Sequence, residues 1–181
     1  MATPVHDARV GLLTPPTILE LQGPPDDVLP RLRSLGLEDP PALRCARSGA
    51  LELLRPAAQH WWLLAPAQDG PALLAGLFTS PPGPDTLIVE VSDGWAHFLV
   101  EGAGAGDLLA SASPLDTHPR AFAADGATFT EVFGLRALVL RRPGGFQLAV
   151  ERSHGPMVAD WFARLQGLPQ PGPLVPGANF C

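Results

Sequence analysis

At 181 residues, with 46% hydrophobic and 17% charged residues, the chain has the composition of one globular domain, or of one domain made from two similar halves. Its formal net charge of -6 speaks against nucleic-acid binding, which needs a basic surface. All 12 cationic residues are arginine and there is no tyrosine, which excludes Schiff-base chemistry, a P-loop lysine and a tyrosine acid–base mechanism.

The chain opens with residues 1–16, read as a loose arm ending in Thr14-Pro15-Pro16. The start has neither a basic nor an apolar stretch of the kind a signal peptide carries. Alternation predicts a strand over 18–21, closed by Gly23-Pro24-Pro25. Asp26 is placed to cap a helix to about Leu35, with Val28, Leu29, Leu32 and Leu35 at helical spacing and Gly36 just past its end. Strands follow at 50–55 and 61–65, then a short helix over 71–78. Ser80-Pro81-Pro82-Gly83-Pro84 reads as a linker.

The second half runs in the same order. Strands are predicted at 87–91 and 95–101, the latter ending in Gly102-Ala103-Gly104, and a helix at 106–111. After an irregular stretch come strands at 128–133 and 135–141, the turn Arg142-Pro143-Gly144-Gly145, a strand at 146–151 and a helix at 155–165. Residues 167–181, rich in Pro and Gly, read as a tail. "ILELQGPPDDVLPRL" lies over "AHFLVEGAGAGDLLA", and "ALELLRPAAQHWWLLAPAQDGPALLAGL" over "ALVLRRPGGFQLAVERSHGPMVADWFARL". The expected architecture is α+β: one domain over 17–166, a strand-helix-hairpin-helix unit present twice (about 17–79 and 86–166), with helices on the outer side of a mixed or antiparallel sheet.

No complete catalytic constellation is visible. Gly102, Gly104 and Gly106 stand between a strand and a helix, but a dinucleotide fingerprint needs its last glycine where Asp107 is, and an acid there repels a pyrophosphate. Cys45 and Cys181 are too few and too far apart for a metal cluster or a disulfide framework, and read as the reduced thiols of a cytoplasmic protein. Ser153 reads as a helix cap rather than half of a Ser–His pair with His154. Trp61 and Trp62 point to opposite faces of their strand, so one of them is a candidate interface anchor. The longest apolar runs are far short of a membrane span. The segment with the most functional character is Leu115-Asp116-Thr117-His118-Pro119-Arg120-Ala121-Phe122. Asp116 and His118 could form half a metal site or an acid–base pair, yet no third ligand or nucleophile is close, and loop Asp and His residues beside Pro more often satisfy backbone groups.

Trp62-Leu63-Leu64, Val91-Ser92-Asp93-Gly94, the 115–122 stretch and Val150-Glu151-Arg152-Ser153 followed by Trp161 together resemble the γ subunit of heterotetrameric sarcosine oxidase, over roughly residues 17–166. That resemblance implies a fold similar to the folate-binding domain of aminomethyltransferases. It implies a small subunit of a cytoplasmic enzyme that oxidatively demethylates sarcosine to glycine, with hydrogen peroxide and 5,10-methylenetetrahydrofolate formed. FAD, FMN and NAD are then expected on partner subunits and no cofactor on this chain, with the α, β and δ subunits as partners and neither nucleic acid nor membrane among them. The chain is expected to help build the enzyme without catalytic, cofactor or metal residues of its own. A free-standing folate-binding, aminomethyltransferase-like protein of one-carbon metabolism is the alternative. Asp116, His118, Arg120 and Phe122 are the candidate partner contacts, and replacing Arg120 or Phe122 by Ala is expected to weaken assembly more than it alters the fold.

Overall fold

The computed structural model describes residues 6–167. The expected tail at 167–181 lies, apart from its first residue, outside the described residues. Every strand pairing with a defined register is antiparallel, and the strands form two five-stranded sheets. The chain divides into two compact units, one with residues 15–93 and 125–128, the other with 6–14, 94–124 and 129–167 of the described chain.

In the first unit the strands are β2 (Thr17–Gln22), β3 (Cys45–Ser48), β4 (Leu51–Ala57), β5 (His60–Ala65) and β6 (Leu87–Glu90), in the order β3-β4-β5-β2-β6. Helices α1 (Pro25–Ser34) and α2 (Gly70–Leu77) supply Val28, Leu32 and Leu77 to a core with Leu19, Leu21, Leu53, Trp61, Leu63 and Ile88. Each such side chain, fully buried, contributes about 1.5–3 kcal/mol. At the start of α1 the cap position is Pro24 and Asp26 bonds nothing there; Asp27 does the tying instead. Its Oδ2 accepts the Gly83 N–H at 2.8 Å, and its Oδ1 meets Arg31 at 2.9 Å. Those contacts hold the Asp27 carboxyl down to about 2, the Gly83 bond foremost. Arg31 also donates to the carbonyls of Leu77, Ser80 and Pro81, so the proline-rich stretch is fastened to α1. The end of α1 is as expected: Gly36 has φ +74, and the Leu37 N–H reaches the Leu32 carbonyl.

In the second unit the strands are β1 (Arg9–Leu13), β7 (Trp95–Glu101), β8 (Ala127–Val132), β9 (Leu135–Arg142) and β10 (Gly145–Glu151), in the order β1-β7-β10-β9-β8. Helices α3 (Ala105–Ala110) and α4 (Gly155–Leu165) bring Leu108, Leu109, Val158 and Phe162 onto one sheet face, with Phe98, Val100, Val139, Phe146, Leu148 and Val150. Residues 9–13, read from the sequence as loose arm, are strand β1, paired with β7 from Arg9↔Glu101 to Leu13↔His97. Residues 125–128 bond back to the first unit: Cys45 donates to the Asp125 carbonyl, Ala127 to that of Leu43, and Arg44 pairs with the Asp125 carboxylate. None of the described helices is long and apolar enough to cross a membrane.

Candidate subunit interface

The 113–122 loop is built from within. The Asp116 carboxylate accepts the His118 N–H at 2.9 Å, and His118 Nδ1 accepts the Arg120 N–H at 3.2 Å. The His118 carbonyl takes the N–H groups of Ala121 and Phe122, both at 2.9 Å. Both polar side chains that could have made an acid–base pair are therefore turned onto their own backbone. Among the described residues no three of His, Cys, Asp or Glu are grouped to hold a metal. Arg141 straps the loop to the sheet: it donates to the Thr117 carbonyl at 2.8 Å and lies 4.7 Å over the Phe146 ring. Phe122 stacks on that ring and is 2% exposed. This corrects the expectation for Phe122. It anchors the loop to its own core, so truncation there attacks the fold directly. Asp116, His118 and Arg120 remain at the surface.

Three other sequence expectations resolve on geometry. The glycines after β7 serve a close backbone approach: a Cβ on Gly102 would sit 2.6 Å from the Asp7 carbonyl oxygen, and one on Gly104 2.8 Å from the Asp7 nitrogen. What approaches is the chain's own residue 7. Ser153 makes no cap, since α4 begins at Gly155 after a 3₁₀ turn over Arg152–His154, with Pro156 in its first turn. Trp61 and Trp62 are 1% and 2% exposed, so neither stands on the surface as an anchor.

Two polar networks, each on the sheet face opposite the helices of its unit, escaped the sequence reading. In the second unit Arg142 gives Nε and Nη2 to Gln147 Oε1, at 2.9 and 2.7 Å. That fixes the amide, so Gln147 Nε2 donates to His97 Nδ1 at 3.2 Å. The His97 proton is then on Nε2, assigned from the network, and this nitrogen is buried with no hydrogen-bond partner among the described residues. Burial, helped by the Arg142 charge, pushes His97 down to about 4, so the ring is neutral near pH 7.

In the first unit Glu20 Oε1 accepts from Gln22 Nε2 at 2.5 Å and lies 2.9 Å from His60 Nε2. Trp62 Nε1 is 3.2 Å from the same imidazole nitrogen. That nitrogen can donate to Glu20 or accept from Trp62, not both. The strand register makes this grouping: Glu20 is opposite Trp62 and Gln22 opposite His60 on β5, while Val89 and Leu87 flank them on β6. The edge is apolar and open, with Leu87 51% and Val89 37% exposed.

A family model described as "Sarcosine oxidase, gamma subunit family" matches residues 28–166. Among solved structures the chain is similar to a heterotetrameric sarcosine oxidase from Corynebacterium sp. U-96, in complex with pyrrole 2-carboxylate. That likeness has a TM-score of 0.81 at 20% identity and covers 91% of this chain and 87% of that one. A second is the glycine cleavage system aminomethyltransferase T from Bartonella henselae, with TM-score 0.64 and 17% identity. There the match covers 89% of this chain but 46% of the other, so this chain spans less than half of that protein. No curated protein matches the sequence.

Proposed function

Because the chain belongs to the sarcosine oxidase gamma subunit family, we infer that it works as the small structural subunit of an enzyme that oxidatively demethylates sarcosine. The observation that carries this is the family match over 28–166, on a chain whose mixed α and β fold is like that of a chain of a heterotetrameric sarcosine oxidase. In this reading the α, β and δ subunits are its partners in the cytoplasm, and FAD, FMN and NAD sit on them rather than here. Glycine, hydrogen peroxide and 5,10-methylenetetrahydrofolate are products of the assembled enzyme. The chain helps to build that enzyme and supplies none of its catalytic groups. A mean hydropathy of +0.15 with 17% charged residues suits a protein that buries surface in a complex.

The domain over 17–166 is a duplication in the same reading, its halves near 17–79 and 86–166. Supporting it, a hairpin pairs with a central strand in both sheets: β4-β5 with β2 in one, and β9-β10 with β7 in the other. The helix that follows the central strand and the helix that follows the hairpin recur as well. The exposed side of the 113–122 loop, with Asp116, His118 and Arg120, is one contact with a large subunit. A surface loop braced by Phe122 and Arg141 can present an arginine without ordering it anew on binding.

Co-expression tests this. Made alone the chain should be colourless and inert toward sarcosine. With the flavin-bearing subunits it should enter a stable yellow complex that makes peroxide from sarcosine, and Arg120→Ala should weaken that complex by about 10-fold without unfolding the chain. A solitary chain that turns over an amine, or one that never joins those subunits, would overturn the reading. Saturable micromolar binding of tetrahydrofolate in calorimetry would favour the free-standing folate protein instead.

A further inference from the structure

Among the described residues strand β6 lies at the end of its sheet, paired with β2 alone. The Val91 N–H just beyond it bonds inward to the Ile18 carbonyl, so by alternation Ile88 and Glu90 turn their backbone groups outward. An apolar edge of this kind invites pairing with another chain, and soluble proteins blunt it with charge. At the other end of the same sheet β3 does so, with Arg47 paired to Glu52 at 2.8 Å. In the second unit β1 carries Arg9 against Glu101 at 3.3 Å. Strand β6 has an exposed Glu90 at its end but, among the described residues, no ion pair of this kind, and presents Leu87 and Val89 to solvent.

The charged residues on and beside this strand are acidic: Asp85 precedes it, Glu90 is within it, and Glu20 is opposite Val89 on β2. Arg31, which reaches across to the 77–81 loop, is 9% exposed at its side chain and paired with Asp27. Next to Val89 stands Glu20, whose Oε1 is bonded to Gln22 and His60; no donor among the described residues reaches its Oε2. The face therefore offers open backbone groups, two apolar side chains and a carboxylate with one oxygen open, all within reach of one added strand.

We propose that β6 is where a large partner subunit adds a strand to this sheet. The strand is an extended segment that lays apolar side chains over Leu87 and Val89 and brings an arginine or lysine to Glu20 and Glu90. Backbone pairing supplies the attachment, the alternate side chains the specificity, and the acidic surround selects a basic segment over this acidic chain itself. The proposal rests on the subunit reading above.

The test is assembly with the co-expressed large subunits. Leu87→Lys/Val89→Lys, which keeps the backbone and places cations where the partner's are expected, should weaken the complex by about 10- to 100-fold. Glu20→Gln should weaken it by about 10-fold. Leu12→Lys, which alters an exposed apolar residue on the other sheet's edge, should change nothing. Circular dichroism must show the variants folded; should the double variant unfold, Val89→Lys alone serves. In the wild-type complex the Ile88 and Glu90 amides should exchange about 10-fold or more slowly than in the isolated chain. If wild-type chain fails to assemble, the subunit reading falls and takes this proposal with it. Should wild type assemble while the β6 variants assemble equally well with unprotected amides, only the strand-addition proposal falls. An isolated chain that is a dimer broken by the double variant would assign the edge to a second copy and also overturn it.

Discussion

On the sheet of β7, β9 and β10, Arg142, Gln147 and His97 form a chain of hydrogen bonds that runs inward and ends on a buried imidazole N–H that no described residue receives. On the sheet of β2, β5 and β6, Glu20, Gln22, His60 and Trp62 form one that runs toward the edge and ends on a carboxylate oxygen still open. The side chains of Glu20 and His60 are 19% and 21% exposed, whereas His97 is fully buried. Burial decides what each network is worth. A buried polar group left without its partner loses its solvation outright, while a part-exposed one falls back on water. The inner network therefore bears on stability, and the outer one is available for recognition.

The largest effect that would break this contrast is one of pH. An unfolded histidine titrates near 6.5, and His97 in the fold near 4. The folded-state value is depressed, so the fold favours the neutral ring. Its contribution is whole above about pH 6.5, and about 3 kcal/mol is lost as pH falls to 4. Urea unfolding at pH 7.5 and 4.0 should show this loss in the wild type and much less of it in His97→Leu. Asp27 leaves that window undisturbed, because its lowered value confines its own effect to between about 3.8 and 2. Equal losses in both proteins would mean the ring is not held neutral by burial.

A smaller effect sharpens the comparison. Gln147→Leu strands His97 Nδ1 and removes an acceptor from Arg142, and should cost about 2 kcal/mol in the isolated chain at pH 7.5. The smallest belongs to the outer network, where Glu20→Gln should change the stability of the isolated chain by less than about 1 kcal/mol. Were Glu20→Gln to prove as damaging as Gln147→Leu in the same denaturant titration, the division between a stabilising and a recognising network would be lost.

What the sequence disclosed and what it hid divide along the same physical line. Patterns carried by neighbours were readable. The apolar spacing of α1, the glycine after it and the alternation of β2 all place elements within a residue or two of where they stand. Strands whose reason lies elsewhere were not. Arg9–Leu13 has a glycine in its middle and no alternation, and it is a strand because β7, some ninety residues on, offers an edge. Cys45–Ser48 is short and polar, and exists as the return of β4. The polar networks were hidden for the same reason, since Gln147 meets His97 and Glu20 meets His60 only through strand register. Phe122 misled because an aromatic in a proline-stiffened loop looks like a surface feature until Phe146 is seen beneath it. Of the residues proposed for the 113–122 contact, Phe122 is buried, while Asp116, His118 and Arg120 are at the surface.

The fastening of the proline-rich stretch by Arg31 changes where the chain could be cut. Judged by composition, 80–84 is a tether between halves, the place to end a fragment or to open new termini in a circular permutant. The guanidinium of Arg31 holds the carbonyls of Ser80 and Pro81, and Asp27 holds the Gly83 N–H, so a break there would strip partners from a nearly buried cation and its carboxylate. A fragment ending at 79 would also lack β6 and leave β2 as a raw edge. The seam between the compact units comes later, between Asp93 and Gly94, and a designer seeking a half that stands alone would place the cut there and carry 125–128 along with it.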